Sequence, residues 1–187
     1  MAVTWPNLIT FLRLGIVPLM AGAFALEASY GLVLAFAFFW IAALTDFLDG
    51  YLARRLNQMS ELGRMLDPIA DKLLVAAALV MLVANRTLAG LDLVPVLVIL
   101  GREILVSGLR EYLSSLAVSV PVTRIAKWKT AIQMLALGAL IPAPLIEAAL
   151  PGFTLGATWA LWLAAALTLY TGYNYLMAGL QHVERRS

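Results

Sequence analysis

The sequence predicts an all-α integral membrane protein of about six transmembrane helices, on three observations. Of its 187 residues, 63% are apolar and only 13% charged, against about 45–50% and about 25% in ordinary soluble domains. The mean hydropathy is +0.91, and the apolar residues suffice for roughly six spans of ~20 residues each. Basic residues gather at alternate connections between those spans. Thirteen Lys and Arg against eleven Asp and Glu leave a formal charge of +2, and their scatter argues against nucleic acid as a partner. Without cysteine there is no disulfide framework, thiolate nucleophile or Cys metal site.

The first helix is expected over residues 8–26. Its apolar run ends in Ala23-Phe24-Ala25, like a cleavable signal peptide. Signal peptides carry positive charge before the apolar stretch, whereas Arg13 lies inside this one, so the run reads as a retained span. The second helix, 31–57, follows the polar break Glu27-Ala28-Ser29, and the third, 61–86, follows Asn57 to Ser60. Pro68 either opens the third helix at its first turn or kinks it. The fourth helix is expected over 92–116 and the fifth over 125–146. A stretch bearing Pro142, Pro144, Pro151 and Gly152 separates the fifth from the last helix, 155–181. No repeat or low-complexity tract interrupts the chain, so 1–187 reads as a single six-helix membrane domain.

Cytoplasmic ends of spans carry an excess of Lys and Arg. Arg54, Arg55 and Arg64 flank the second connection, Arg110, Arg124, Lys127 and Lys129 flank the fourth, and Arg185 and Arg186 end the chain, while the odd-numbered connections carry only Arg86. Both termini are therefore expected on the cytoplasmic side, a parity that six spans satisfy.

Helices two, three and four contain Asp46, Asp49, Asp67, Asp71, Lys72, Arg102 and Glu103. An ionisable group near a span centre costs at least ~2.5–3.5 kcal/mol and usually faces a cavity with partners. Snorkelling explains Arg54, Arg55, Arg185 and Arg186, but a short Asp side chain cannot reach far, so a polar cavity opening to the cytoplasm is the better account. Asp46 and Asp49 are i, i+3 on one helix and share a face, which Gly50 and Ala53 continue without bulk. Asp67 and Asp71 are i, i+4 on the next, with Gly63 one turn earlier. A short connection makes the two helices antiparallel neighbours, so four carboxylates can converge. They cannot all stay ionised in a low-dielectric pocket without compensation. All-oxygen ligands without His or Cys select hard cations such as Mg2+ or Mn2+. Four carboxylates formally balance two such ions, an arrangement that grips both sides of an in-line displacement at phosphorus. Gly50, Ala53 and Gly63 then become positions where a diphosphate approaches helix backbone. A divalent cation transporter could also use intramembrane carboxylates.

The pattern D-x2-D-G-x2-A-R-x8-G-x3-D-x3-D, complete from Asp46 to Asp71, resembles the signature of the CDP-alcohol phosphotransferase family. The resemblance implies a six-helix membrane fold, usually homodimeric, that transfers a phosphoalcohol from a CDP-linked donor to a hydroxyl acceptor and releases CMP. It implies that Asp46, Asp49, Asp67 and Asp71 hold two metal ions and that Asp71 is also the general base. Gly50, Ala53 and Arg54, with Ser60 and Gly63, would meet the donor. The stretches Pro6-Asn7-Leu8-Ile9-Thr10-Phe11-Leu12-Arg13, Arg102-Glu103-Ile104, Ser107-Gly108-Leu109-Arg110-Glu111 and Lys127-Trp128-Lys129-Thr130 with Gln133-Met134 resemble the family's bacterial branch. The donor there is CDP-diacylglycerol and the acceptor sn-glycerol 3-phosphate. That likeness implies a multi-pass protein of the bacterial inner membrane, embedded in the lipid bilayer with its active site towards the cytoplasm. Sister enzymes use inositol phosphate or serine as acceptor.

The remaining polar residues fit such substrates. Asn7, Thr10 and Arg13 recur every three residues and form a polar strip on helix one suited to the nucleotide or phosphate of the donor. Glu103, Ser107 and Arg110 share a face of helix four. A dianionic acceptor needs cations, and Arg102, Arg110, Lys127 and Lys129 are the candidates for its phosphate. For the lysines the positive-inside bias is the competing account, and for Arg102 with Glu103 a structural ion pair is. Trp5, Trp40, Trp128, Trp159 and Trp162, with Tyr170, Tyr173 and Tyr175, read as interface anchors or packing, and His182 is solitary.

Overall fold

The computed structural model describes residues 5–26, 29–56, 61–115 and 124–184, with side-chain surroundings at 10–26, 29–45, 65–66, 68–114, 125, 128–177 and 179. All regular structure among the described residues is helical: α1 (Trp5–Phe24), α2 (Ser29–Leu56), α3 (Glu61–Ala84), α4 (Leu93–Ser115), α5 (Arg124–Leu140), α6 (Ala143–Ile146) and α7 (Phe153–Glu184), with a 3-10 turn at Gly90–Asp92 before α4.

The expected helices recur with shifted ends, and one is cut. In α1, described from Trp5, Pro6 and Pro18 both lie within the helix. The helix expected over 125–146 stops at Leu140. Ile141 still donates to the Leu137 carbonyl at 3.2 Å, but Leu145 and Ile146 both donate to the Pro142 carbonyl, at 2.9 and 3.2 Å. Pro142 and Pro144 supply no N–H, so the ladder restarts as the single turn α6. Pro68 does not open α3; it lies inside the helix described from Glu61.

The chain forms two compact units, each discontinuous: Met1–Thr87 with Leu137–Thr154, and Leu88–Ala136 with Leu155–Ser187. In the first, α1 packs against both α2 and α3. Ile16, Val17, Met20 and Ala23 of α1, Ala35, Phe39 and Ala42 of α2, and Ala70, Leu74 and Ala78 of α3 are all buried. Small residues set the approach. A Cβ on Gly31 would lie 2.7 Å from the Ala23 carbonyl oxygen, and one on Gly138 would lie 2.6 Å from the Trp40 ring.

In the second unit α4 and α7 run parallel. Asp92, just before α4, accepts a hydrogen bond from the Trp162 indole at 3.0 Å, Arg102 lies against Gly172, and Leu109 and Leu113 lie against Gly179, so both chains advance together. Val106 and Leu113 of α4 and Leu161, Ala164 and Ala165 of α7 are buried.

Across the described helices, large apolar side chains such as Ile104 and Leu97 face outwards, while Arg13 and Lys129 are enclosed. Within α7, Phe153–Met177 is the one described segment long and apolar enough to cross a membrane; Thr10–Phe24 and Ser29–Thr45 are shorter apolar stretches.

Candidate active site

The backbone of α2 stays helical from Ser29 to Leu56, so positions 46, 49, 50, 53 and 54 keep the register that places 46, 49, 50 and 53 along one face. One residue earlier, the Thr45 hydroxyl donates back to the carbonyls of Ile41 and Ala42 at 2.8 and 2.9 Å, a bond that helical Thr makes without leaving the helix. The second half of the motif lies in α3. Gly63, Asp67 and Asp71 are all within its helical span despite Pro68, and four-residue spacing keeps them on one side. The side chains of Asn7, Asp46, Asp49, Arg54, Asp67 and Lys127, the surroundings of Gly50, Ala53 and Gly63, and all of Ser60 lie outside the described residues.

Asp71 is described. Arg13 of α1 donates from Nη1 to Asp71 Oδ1 at 2.9 Å. The Arg13 side chain is fully buried, while that of Asp71 is 51% exposed. The guanidinium therefore sits behind the carboxylate and the carboxylate faces outwards. One turn before Arg13, Thr10 is also buried, so the described part of the helix-one polar strip points into the first unit. α1 can deliver it there because it packs against both aspartate-bearing helices.

The second unit holds most of the remaining cations. Lys129 of α5, almost fully buried, donates from Nζ to Glu103 Oε1 at 2.5 Å. Arg102 Nη1 lies 3.3 Å from the same oxygen, so one carboxylate serves two cations. Ser107 donates its hydroxyl to the Glu103 backbone carbonyl. Gln133, one turn beyond Lys129, is buried as well. Arg110 is exposed, with its guanidinium carbon 5.9 Å from the centre of the Tyr175 ring, within cation–π range.

Two partners were not anticipated. Glu103, which the sequence pairs with Arg102, also holds Lys129; the two are 26 residues apart and no local spacing connects them. Tyr175 read as an interface anchor, and its pairing with Arg110 depends on the parallel run of α4 and α7.

The family model for CDP-alcohol phosphatidyltransferase matches residues 3–170. A Rickettsia felis protein named CDP-diacylglycerol–glycerol-3-phosphate 3-phosphatidyltransferase is 43% identical over 173 residues, covering 92% of this chain and 93% of its own length. Proteins of the same name from Pseudomonas fluorescens and Salmonella choleraesuis are 45% and 39% identical, covering 96% and 92% of this chain and 91% and 93% of their own lengths. The chain belongs to the CDP-alcohol phosphatidyltransferase family.

Proposed function

We propose that the chain transfers the phosphatidyl group of CDP-diacylglycerol to the 1-hydroxyl of sn-glycerol 3-phosphate, giving phosphatidylglycerol phosphate and CMP, a step of anionic phospholipid synthesis. The observation that carries this reading is likeness to relatives named for that reaction over 92% and 96% of the chain. The outward-facing Asp71 carboxylate, backed by Arg13, supplies a fitting base.

The donor set fits hard divalent cations. Asp46, Asp49, Asp67 and Asp71 offer only carboxylate oxygens, in pairs that two continuous helices keep on common faces, and such ligands favour Mg2+ or Mn2+. These four residues would hold two ions, which when bound neutralise the diphosphate and the charge developing on it.

Asp71 takes the proton of the acceptor's 1-hydroxyl. The oxygen forms a bond to the phosphorus that carries diacylglycerol, and the bond from that phosphorus to the bridging oxygen breaks, so CMP departs with that oxygen. Geometry governs the base first and its pKa second. Asn7, Thr10, Gly50, Ala53, Arg54, Ser60 and Gly63 form the donor site, with Arg13 at its inner edge. Arg102, Arg110, Lys127 and Lys129 supply the positive charge for the acceptor phosphate. Around this chemistry we place six spans in a bacterial inner membrane, with both termini and the active site on the cytoplasmic side, in a homodimer. The donor's acyl chains then stay in lipid while the soluble acceptor arrives from the cytosol.

The test is purified protein with CDP-diacylglycerol and Mg2+, given glycerol 3-phosphate, inositol 1-phosphate or serine in parallel. CMP release is expected with glycerol 3-phosphate alone, to stop with EDTA and to return with Mg2+ or Mn2+. Release with only one of the other acceptors would reassign the substrate. Divalent cation flux across liposomes without CMP release would replace the enzyme reading with a transporter.

A further inference from the structure

We infer that Arg13 is a positioning residue for Asp71 rather than a ligand for the donor diphosphate; the inference rests on the reaction proposed above. Its basis is the contrast within one ion pair. Arg13 has no exposed side-chain surface, whereas half of its partner's is exposed. A ligand entering from outside meets the carboxylate first and finds the guanidinium behind it. The anchor is rigid because Arg13 shares the inward face of α1 with Ile16, Val17 and Met20, all buried, and α1 packs against α3.

The chemistry explains why a base would need this. An Asp side chain on a helix can occupy more than one rotamer, and a displacement of about 1 Å in a reacting group can cost roughly 100-fold in rate. A charge-assisted hydrogen bond of 2.9 Å from a fully enclosed guanidinium favours one orientation of the carboxylate. Arg suits the position because it carries several donors on a planar group. The polar strip on helix one thus divides by depth, with Arg13 acting through Asp71.

Arg13→Met keeps the buried stem and removes the charge; Arg13→Lys keeps the charge on a different head. The inference expects folded Arg13→Met to lose about 100-fold in kcat, with KM for both substrates and the calorimetric Kd for CDP within about threefold of wild type. Arg13→Lys should recover a substantial part of that loss. Adding Arg13→Met to Asp71→Asn should cost nothing further in rate, because the two act as one unit. A raised KM for CDP-diacylglycerol and a weakened CDP Kd at unchanged kcat would overturn the inference and make Arg13 a donor ligand. Should Arg13→Met fail to fold, the same division between kcat and KM in Arg13→Lys decides: a lowered kcat at unchanged KM supports positioning, and any other result overturns it. Wild-type protein that releases no CMP with any acceptor would defeat the proposed reaction itself, before any Arg13 variant is compared.

Discussion

Arg13 and Lys129 are the buried cations among the described residues, and each is matched by a carboxylate, Asp71 and Glu103 respectively. An unpaired ion in such a place would cost several kcal/mol. The two pairs nevertheless serve different ends. Asp71 faces outwards, so replacing it by Asn preserves its shape while removing its proton affinity. CMP release by Asp71→Asn is expected to fall roughly 1,000-fold, measured with glycerol 3-phosphate as acceptor in protein that elutes like wild type and melts below it, because buried Arg13 loses its counter-charge. Glu103 is mostly enclosed and shared by Lys129 and Arg102. Glu103→Gln leaves both cations without a counter-charge and should destabilise the protein by roughly 3 kcal/mol, read from denaturant unfolding in detergent. The aspartate motif was legible residue by residue because its spacing is local. The ion-pair partners were not, since a side chain's partner across 58 or 26 residues is chosen by packing.

The helical elements followed from hydropathy and punctuation, with the departures lying at prolines. Pro6 and Pro68 were absorbed into helices, whereas Pro142 with Pro144 ended one. A lone proline removes one donor, while a pair two residues apart removes two from the same turn. The last connection shows a device that composition does not reveal. Glu147 accepts from the backbone N–H groups of Gly152 and Thr154, both at 2.7 Å, at the N-terminus of α7, where N–H groups lack helical partners. Bonds from the Thr154 hydroxyl, the Thr154 backbone and the Gly152 backbone together hold the Glu147 carboxyl below its ordinary pKa of 4.5. A depressed folded-state pKa means that this stabilisation is complete above the unfolded value and is lost as pH falls through the folded one. Glu147→Gln should therefore lower Tm by a constant amount at neutral pH, and the gap to wild type should close on acidification below about pH 4.5.

At the scale of the whole chain, α4 and α7 run parallel within the second unit, and the six-span topology proposed above would put the C-terminal ends of both on the cytoplasmic side. The natural absence of cysteine makes this directly testable. In intact cells Arg86→Cys should react with an impermeant maleimide from outside, while Ser187→Cys should react only after the membrane is opened. Composition, hydropathy and local spacing by themselves determined the helical class and the helix faces bearing Asp46, Asp49, Asp67 and Asp71, because each depends on the 3.6-residue period and on the cost of charge in an apolar setting. Only the tertiary structure decided which cation backs Asp71, that Glu103 joins Arg102 to Lys129, and that Glu147 caps α7. Those pairings bring together residues that are distant in sequence or joined by an irregular turn, so they depend on how the helices pack; Gly172, for one, leaves room for Arg102 beside α7.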